Sequence, residues 1–223
     1  MSEITYTLIR SSRRTLSMEI SNDGSLIIRA PHLVSRSRID TFVAAKKTWI
    51  QKHQKNMVRH ALTPIKKRFN EGEHFLFLGR TYPLTYTDKP LRSVKLDNSL
   101  TLHMRMQKEP AKYIEAWYKK EARTVMAERT AFWTNKTGLT CRAVKLSSAQ
   151  KRWGSCNSRS EINLNWRLVM APVDVIDYVV VHELVHTEVY NHTQEFWGQV
   201  SRILPDYKKQ RQWLKDHRSE MMF

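Results

Sequence analysis

Residues 179–192 read Val-Val-Val-His-Glu-Leu-Val-His-Thr-Glu-Val-Tyr-Asn-His, an apolar run into which three histidines and two glutamates are set. Ionisable side chains inside an apolar helix cost free energy unless they find partners or a purpose. Positions four apart on a helix share a face, so His182 and His186 present both imidazoles to one point, with Glu183 projecting beside it. The spacing His-Glu-x-x-His therefore predicts a buried helix that holds one divalent metal ion, with Zn²⁺ the first candidate.

Zinc lowers the pKa of a bound water from about 15.7 to about 7, and a neighbouring carboxylate can take the proton as the oxygen attacks a carbonyl or phosphoryl centre. Glu183 is read as that general base, and afterwards as the acid. Two histidines leave a catalytic zinc one protein ligand short. His192, just past the helix end expected at Asn191, is the first choice for the third ligand. Glu195 and Glu188 stand behind it, although Glu188 would point about 200° around the helix from His186.

The rest of the composition narrows the class. With 41% hydrophobic residues, 7 Trp, 8 Tyr and 7 Phe, the 223-residue chain can bury a core, as one large domain or two small ones. The two cysteines, Cys141 and Cys156, supply neither a disulfide framework nor a Cys-x-x-Cys metal site, which leaves histidine and carboxylate as ligands. No stretch approaches the roughly 18 apolar residues of a membrane span. Glu3, Arg10, Arg13 and Arg14 interrupt the region where a signal peptide needs an apolar stretch, so a cytoplasmic protein with no membrane partner is expected.

Charge is unevenly spread: the net charge is +17, yet residues 1–170 carry 32 basic and 13 acidic side chains, and residues 171–223 carry 6 and 8. The first of these segments, at +19, should attract polyanions such as nucleotides or nucleic acid. Arg10, Arg13, Arg14, Lys46, Lys47, Lys66, Lys67 and Arg68 are the side chains that would meet phosphate.

Alternation predicts a small β meander over residues 4–30, turning at Asn22-Asp23-Gly24. Helical spacing follows over 38–59, then a polar connector over 60–72 and strands at 73–78, 80–87, 94–97 and 100–105. Together these predict a β-rich N-terminal lobe over 1–108 and a second domain over 109–223. In the latter, a helix runs from Pro110 to near Gly138, and strands are read at 141–150, 151–156 and 161–168. The metal-bearing helix is placed from Pro172 to Tyr190, with shorter helices over 193–204 and 206–218.

Further motifs surround the metal signature: Arg152-Trp153-Gly154-Ser155-Cys156, the run Ile162-Asn163-Leu164-Asn165-Trp166-Arg167-Leu168 followed by Ala171-Pro172, Asn191-His192 with Phe196-Trp197, Arg10-Ser11-Ser12-Arg13-Arg14, and Leu204-Pro205-Asp206-Tyr207. In these the chain resembles, over most of its length, the YgjP-like family of predicted metal-dependent hydrolases, relatives of the zincin metallopeptidases. The resemblance implies an α+β fold, with a zincin-like core in which a mixed sheet packs on the metal-bearing helix. It also implies His182, His186 and His192 as ligands and Glu183 as catalytic acid and base. Metzincin peptidases carry Gly three residues after the second histidine, where this chain has Val189, which argues against that group.

Three functions follow as expectations. The first is a zinc-dependent peptidase taking a peptide or protein substrate, paired as an extra strand along the sheet edge near 152–156 or 162–165. The second is a phosphoanhydride hydrolase acting on a nucleotide such as UTP, an activity attached to the resembled family and favoured by the basic charge. The third is a nucleic-acid-associated protease. Arg152, Ser155 and Arg167 are candidate substrate-binding residues, because charge-assisted donors can hold a phosphate or a developing oxyanion. Cys156 is read as a small buried hydrophobe.

Overall fold

In the computed structural model, residues 4–21, 25–51 and 67–222 are described. The chain divides into two compact units, 1–63 and 64–223. The expected boundary at 108 thus lies within the second unit. The strands read as N-terminal bring Phe75, Leu84, Leu100 and Leu102 into the same core as the long helix and the metal-bearing helix.

The first unit holds strands β1 (Thr7–Ser11), β2 (Ser17–Ile20) and β3 (Leu26–Pro31), followed by helix α1 (Arg36–Ala45). Their order is β1-β3-β2, with β1 parallel to β3, and so not the meander expected. Alternation puts Leu26, Ile28 and Ala30 on one face of β3, where they bury against Ile39 and Val43 of α1. Ser35 caps α1 through its hydroxyl, which accepts from the Arg38 amide. Helical residues resume after Lys46 and continue to 51. The expected turn at 22–24, the remainder of the 38–59 helix and the first part of the 60–72 connector lie outside the described residues.

The second unit is mixed α and β. One sheet has the order β4-β5-β7-β6, from β4 (His74–Phe77), β5 (Arg80–Thr87), β6 (Lys95–Leu96) and β7 (Leu100–His103). Helix α2 (Pro110–Thr137) spans the length its sequence predicts, because Pro110 occupies its first turn and Gly138 ends it in the left-handed region, φ 76°. A second sheet, β8-β10-β9, comprises β8 (Ala143–Ser147), β9 (Gly154–Cys156) and β10 (Glu161–Asn165), with β9 at its edge. Residues 166–168, expected as the end of that strand, instead belong to a 3-10 turn over Trp166–Met170 capped by Asn165, whose side chain accepts from the Arg167 amide.

Helix α3 (Val173–Val185) is apolar on nearly every side, with Val175, Ile176, Val179, Val180, Val181, Leu184 and Val185 all buried. A helix of this kind belongs in a core. Its one buried acid outside the metal signature, Asp177, is matched by Arg129 of α2 in a two-pronged ion pair at 2.6 and 2.7 Å. That pair fixes α3 against α2. Helices α4 (Gln194–Ile203) and α5 (Tyr207–Asp216) follow. Among the described residues no helix is long and apolar enough to cross a membrane.

Candidate metal centre

α3 stops at Val185, short of the Tyr190 terminus its sequence suggests, and the reason is local. The Thr187 hydroxyl and the Thr187 amide both donate to the Leu184 carbonyl, at 2.7 and 3.0 Å, which tightens the last turn. The Val189 carbonyl is taken by His186 Nδ1 at 3.0 Å. The chain then reverses, and Thr193 restarts it as α4 by accepting from the Phe196 amide.

This reversal carries His192 back over the helix. Its Nε2 lies 3.0 Å from Nε2 of His182 and 3.2 Å from Nε2 of His186. The three imidazoles form the candidate metal-binding group among the described residues. Three ring nitrogens this close fit a tetrahedral zinc, whose Zn–N bonds of about 2.0–2.1 Å set ligand nitrogens about 3.3 Å apart. The tautomer of His186 agrees: a carbonyl only accepts, so Nδ1 carries the hydrogen to Val189 and Nε2 keeps its lone pair for a cation.

The walls around the histidines are aromatic. Phe196, fully buried, lies 4.4 Å from the His186 ring and 4.8 Å from those of His182 and His192, centroid to centroid. Trp197 stacks on His192 at 5.6 Å. Burial pushes the His182 pKa down to about 3, helped by the charges of His186, His192 and Arg211, so the ring stays neutral and able to ligate. Burial also lowers the pKa of His192.

Glu183 is only 4% exposed, and its Oε2 is buried without a hydrogen-bond partner. Burial pushes its carboxyl up to about 8, against a smaller opposing pull from Arg152. Gly154 of β9 is packed on it. A β-carbon at Gly154 would come within 2.7 Å of Glu183 Cγ, so only glycine lets the strand pass. The three histidines, Glu183, Tyr190 and the β9 residues Gly154, Ser155 and Cys156 line a cleft of about 260 Å³.

Four of the residues singled out from sequence as ligands or base meet in this cleft, and Ser155 lines it with them. The others lie elsewhere. Arg152 is exposed at the approach to β9, near enough to act on Glu183 through its charge. Arg167 lies over the Trp166 ring at 4.3 Å, outside the cleft lining. Glu195 is exposed in the first turn of α4 and Glu188 lines a separate groove with Trp133 and Arg202, so neither joins the histidines. Cys156 is half-buried on the cleft wall, more exposed than the buried position expected of it. The sequence reading missed Gly154 and Tyr190. The first is signalled only by the glycine in Arg152-Trp153-Gly154, and the second by nothing once the helix was extended through it.

Converging imidazoles with a buried carboxylate alongside are the equipment of a metal-dependent hydrolase. The family model of the YgjP-like metallopeptidase domain matches residues 14–217, and the chain belongs to that family. No curated protein and no solved structure matches it.

Proposed function

We propose that the protein is a zinc-dependent peptidase with a zincin-like core, acting in the cytoplasm on extended segments of peptide or protein, with His182, His186 and His192 as ligands and Glu183 as general base. The observation that carries this reading is the meeting of three Nε2 atoms and one buried carboxylate in a single cleft. A divalent ion on these imidazoles would supply Lewis acidity, making water nucleophilic near neutral pH and polarising the scissile carbonyl.

The protein groups do the rest. Glu183 takes a proton from the water whose oxygen bonds to the carbonyl carbon. It returns that proton to the amide nitrogen as the C–N bond breaks, so that an acid and an amine leave. Burial favours the protonated carboxyl, which suits the second half of the exchange, when Glu183 holds the proton it will return. The edge position of β9 favours a peptide, because an extended chain can add to the side of β9 that β10 leaves unpaired. The competing substrate, a nucleoside triphosphate, draws support from the +19 of residues 1–170. It draws none from the cleft, whose lining among the described residues includes no lysine or arginine.

The test is turnover of the zinc-loaded protein on unstructured peptides and on nucleoside triphosphates in one buffer, with Glu183→Gln alongside. Peptide cleavage that disappears in the variant supports the reading. Triphosphate hydrolysis that disappears instead overturns the choice of substrate, and full activity of Glu183→Gln removes the base.

A further inference from the structure

Resting on the peptidase reading of this cleft, we propose that Tyr190 is a catalytic residue whose phenolic hydroxyl donates a hydrogen bond to the carbonyl oxygen of the scissile peptide bond.

Attack on an amide carbonyl builds negative charge on its oxygen, and a donor fixed in advance at that oxygen lowers the barrier. The Nε2 atoms of His182 and His186 face that of His192, His186 Nδ1 is committed to the Val189 carbonyl, and His182 Nδ1 is buried away from the cleft surface. Glu183, acting as a base, accepts. Among the described residues no arginine or lysine lines the cleft, so the guanidinium groups of Arg152 and Arg167 do not serve.

Strand β9 offers two side chains, and the alternation of a strand separates them. Gly154 faces Glu183, as the contact of its missing β-carbon shows. Cys156, two residues on, shares that face, and its Sγ is turned to the Asn157 carbonyl at 3.5 Å. Ser155 lines the cleft at the strand, but alternation turns its side chain to the face of β9 away from Glu183. This leaves Tyr190 as the cleft-lining residue whose side-chain hydroxyl is not on a strand face turned from Glu183.

Its backbone is held on both sides while its ring is free to be used. The Val189 carbonyl is tied to His186, the Asn191 carbonyl accepts from the Thr193 amide at 2.8 Å, and His192 belongs to the metal group. The residue is 62% exposed. A large aromatic side chain on a pinned backbone needs to settle only two torsions when substrate arrives, which keeps the entropy cost of the contact small.

The experiment compares Tyr190→Phe and Tyr190→Ala with the wild type in zinc content, kcat and KM on a cleaved peptide, and calorimetric affinity for a peptide phosphonate, which mimics the tetrahedral oxyanion. The expected result is that Tyr190→Phe keeps its zinc and its KM, loses about 100-fold in kcat, and weakens phosphonate binding by a similar factor. Tyr190→Ala should lose no more kcat than Tyr190→Phe. A Tyr190→Phe enzyme as fast as wild type overturns the role, as does a loss in both variants confined to KM. Failure of the wild type to cleave any peptide would overturn the peptidase reading itself, which distinguishes that outcome from failure of Tyr190 alone.

Discussion

Gly154 and Glu183 are packed so closely that nothing larger than hydrogen fits between them: a β-carbon on the glycine would lie 2.7 Å from Cγ and 2.8 Å from Cδ of the glutamate. The strand thus sets where the carboxylate can stand. Gly154→Ala should fold, bind metal with its three untouched histidines, and lose about 100-fold or more in kcat, because a displacement of about 1 Å at a reacting group costs that much. Turnover measured beside zinc content checks it. A variant that loses zinc and activity together would mean that the glycine supports the fold and not the base.

The third ligand is decided by removing candidates singly. His192→Ala should weaken zinc binding by more than about 100-fold, beyond the usual effect of losing an outer-shell partner. Glu195→Ala and Glu188→Ala should leave it unchanged, since both carboxylates lie away from the histidine group. Competition against a chromogenic chelator reads all three. Equal affinity for His192→Ala would give the third position to another group.

Stability of the metal-free protein should depend on pH through Glu183. Its pKa is raised from 4.5 to about 8 by burial, so its contribution favours the folded state in full below 4.5 and is lost as pH rises through 8. His182 works in the opposite sense: with its pKa lowered from 6.5 to about 3, its contribution is present above 6.5 and lost as pH falls toward 3. Comparing wild type with Glu183→Gln isolates the first effect. Between pH 5 and pH 8 the variant should gain on wild type by a few kcal/mol at most, seen in urea midpoints after chelator treatment. A difference that does not change with pH would mean that the carboxylate is solvated or paired.

Arg129→Ala should destabilise the protein by about 3 kcal/mol, because it strands Asp177 without its partner. The figure belongs at the low end for a broken buried pair, since Arg129 keeps 25% of its side chain exposed. Arg129→Met combined with Asp177→Leu should recover much of the loss. Denaturant unfolding of the two variants checks both expectations.

Much of the candidate site was legible in the sequence because its three histidines are brought together by local geometry. The i, i+4 pair His182 and His186 needs only a helix, and His192 needs only a turn after it. Helix α2 was legible for the same kind of reason, a proline at its start and a glycine at its end. Part of what escaped depends on distant partners. The parallel pairing of β1 with β3 is set by a core face shared with α1, and the division at 63 and 64 by strands that bury Leu84 and Leu102 against helices far along the chain. The early end of α3 escaped because Thr187 through Tyr190 have no helix breaker among them, and competing side-chain hydrogen bonds decided the matter.

The tight turn after Val185 has a consequence beyond placing His192. All three imidazoles come from one stretch, 182–192, so an ion bound there spans only the junction between α3 and α4 and ties no remote part of the chain. It works as a local staple. Removing it should loosen that junction first, showing as faster amide exchange and protease nicking around 187–193 while the core around Trp166 and Tyr118 stays closed.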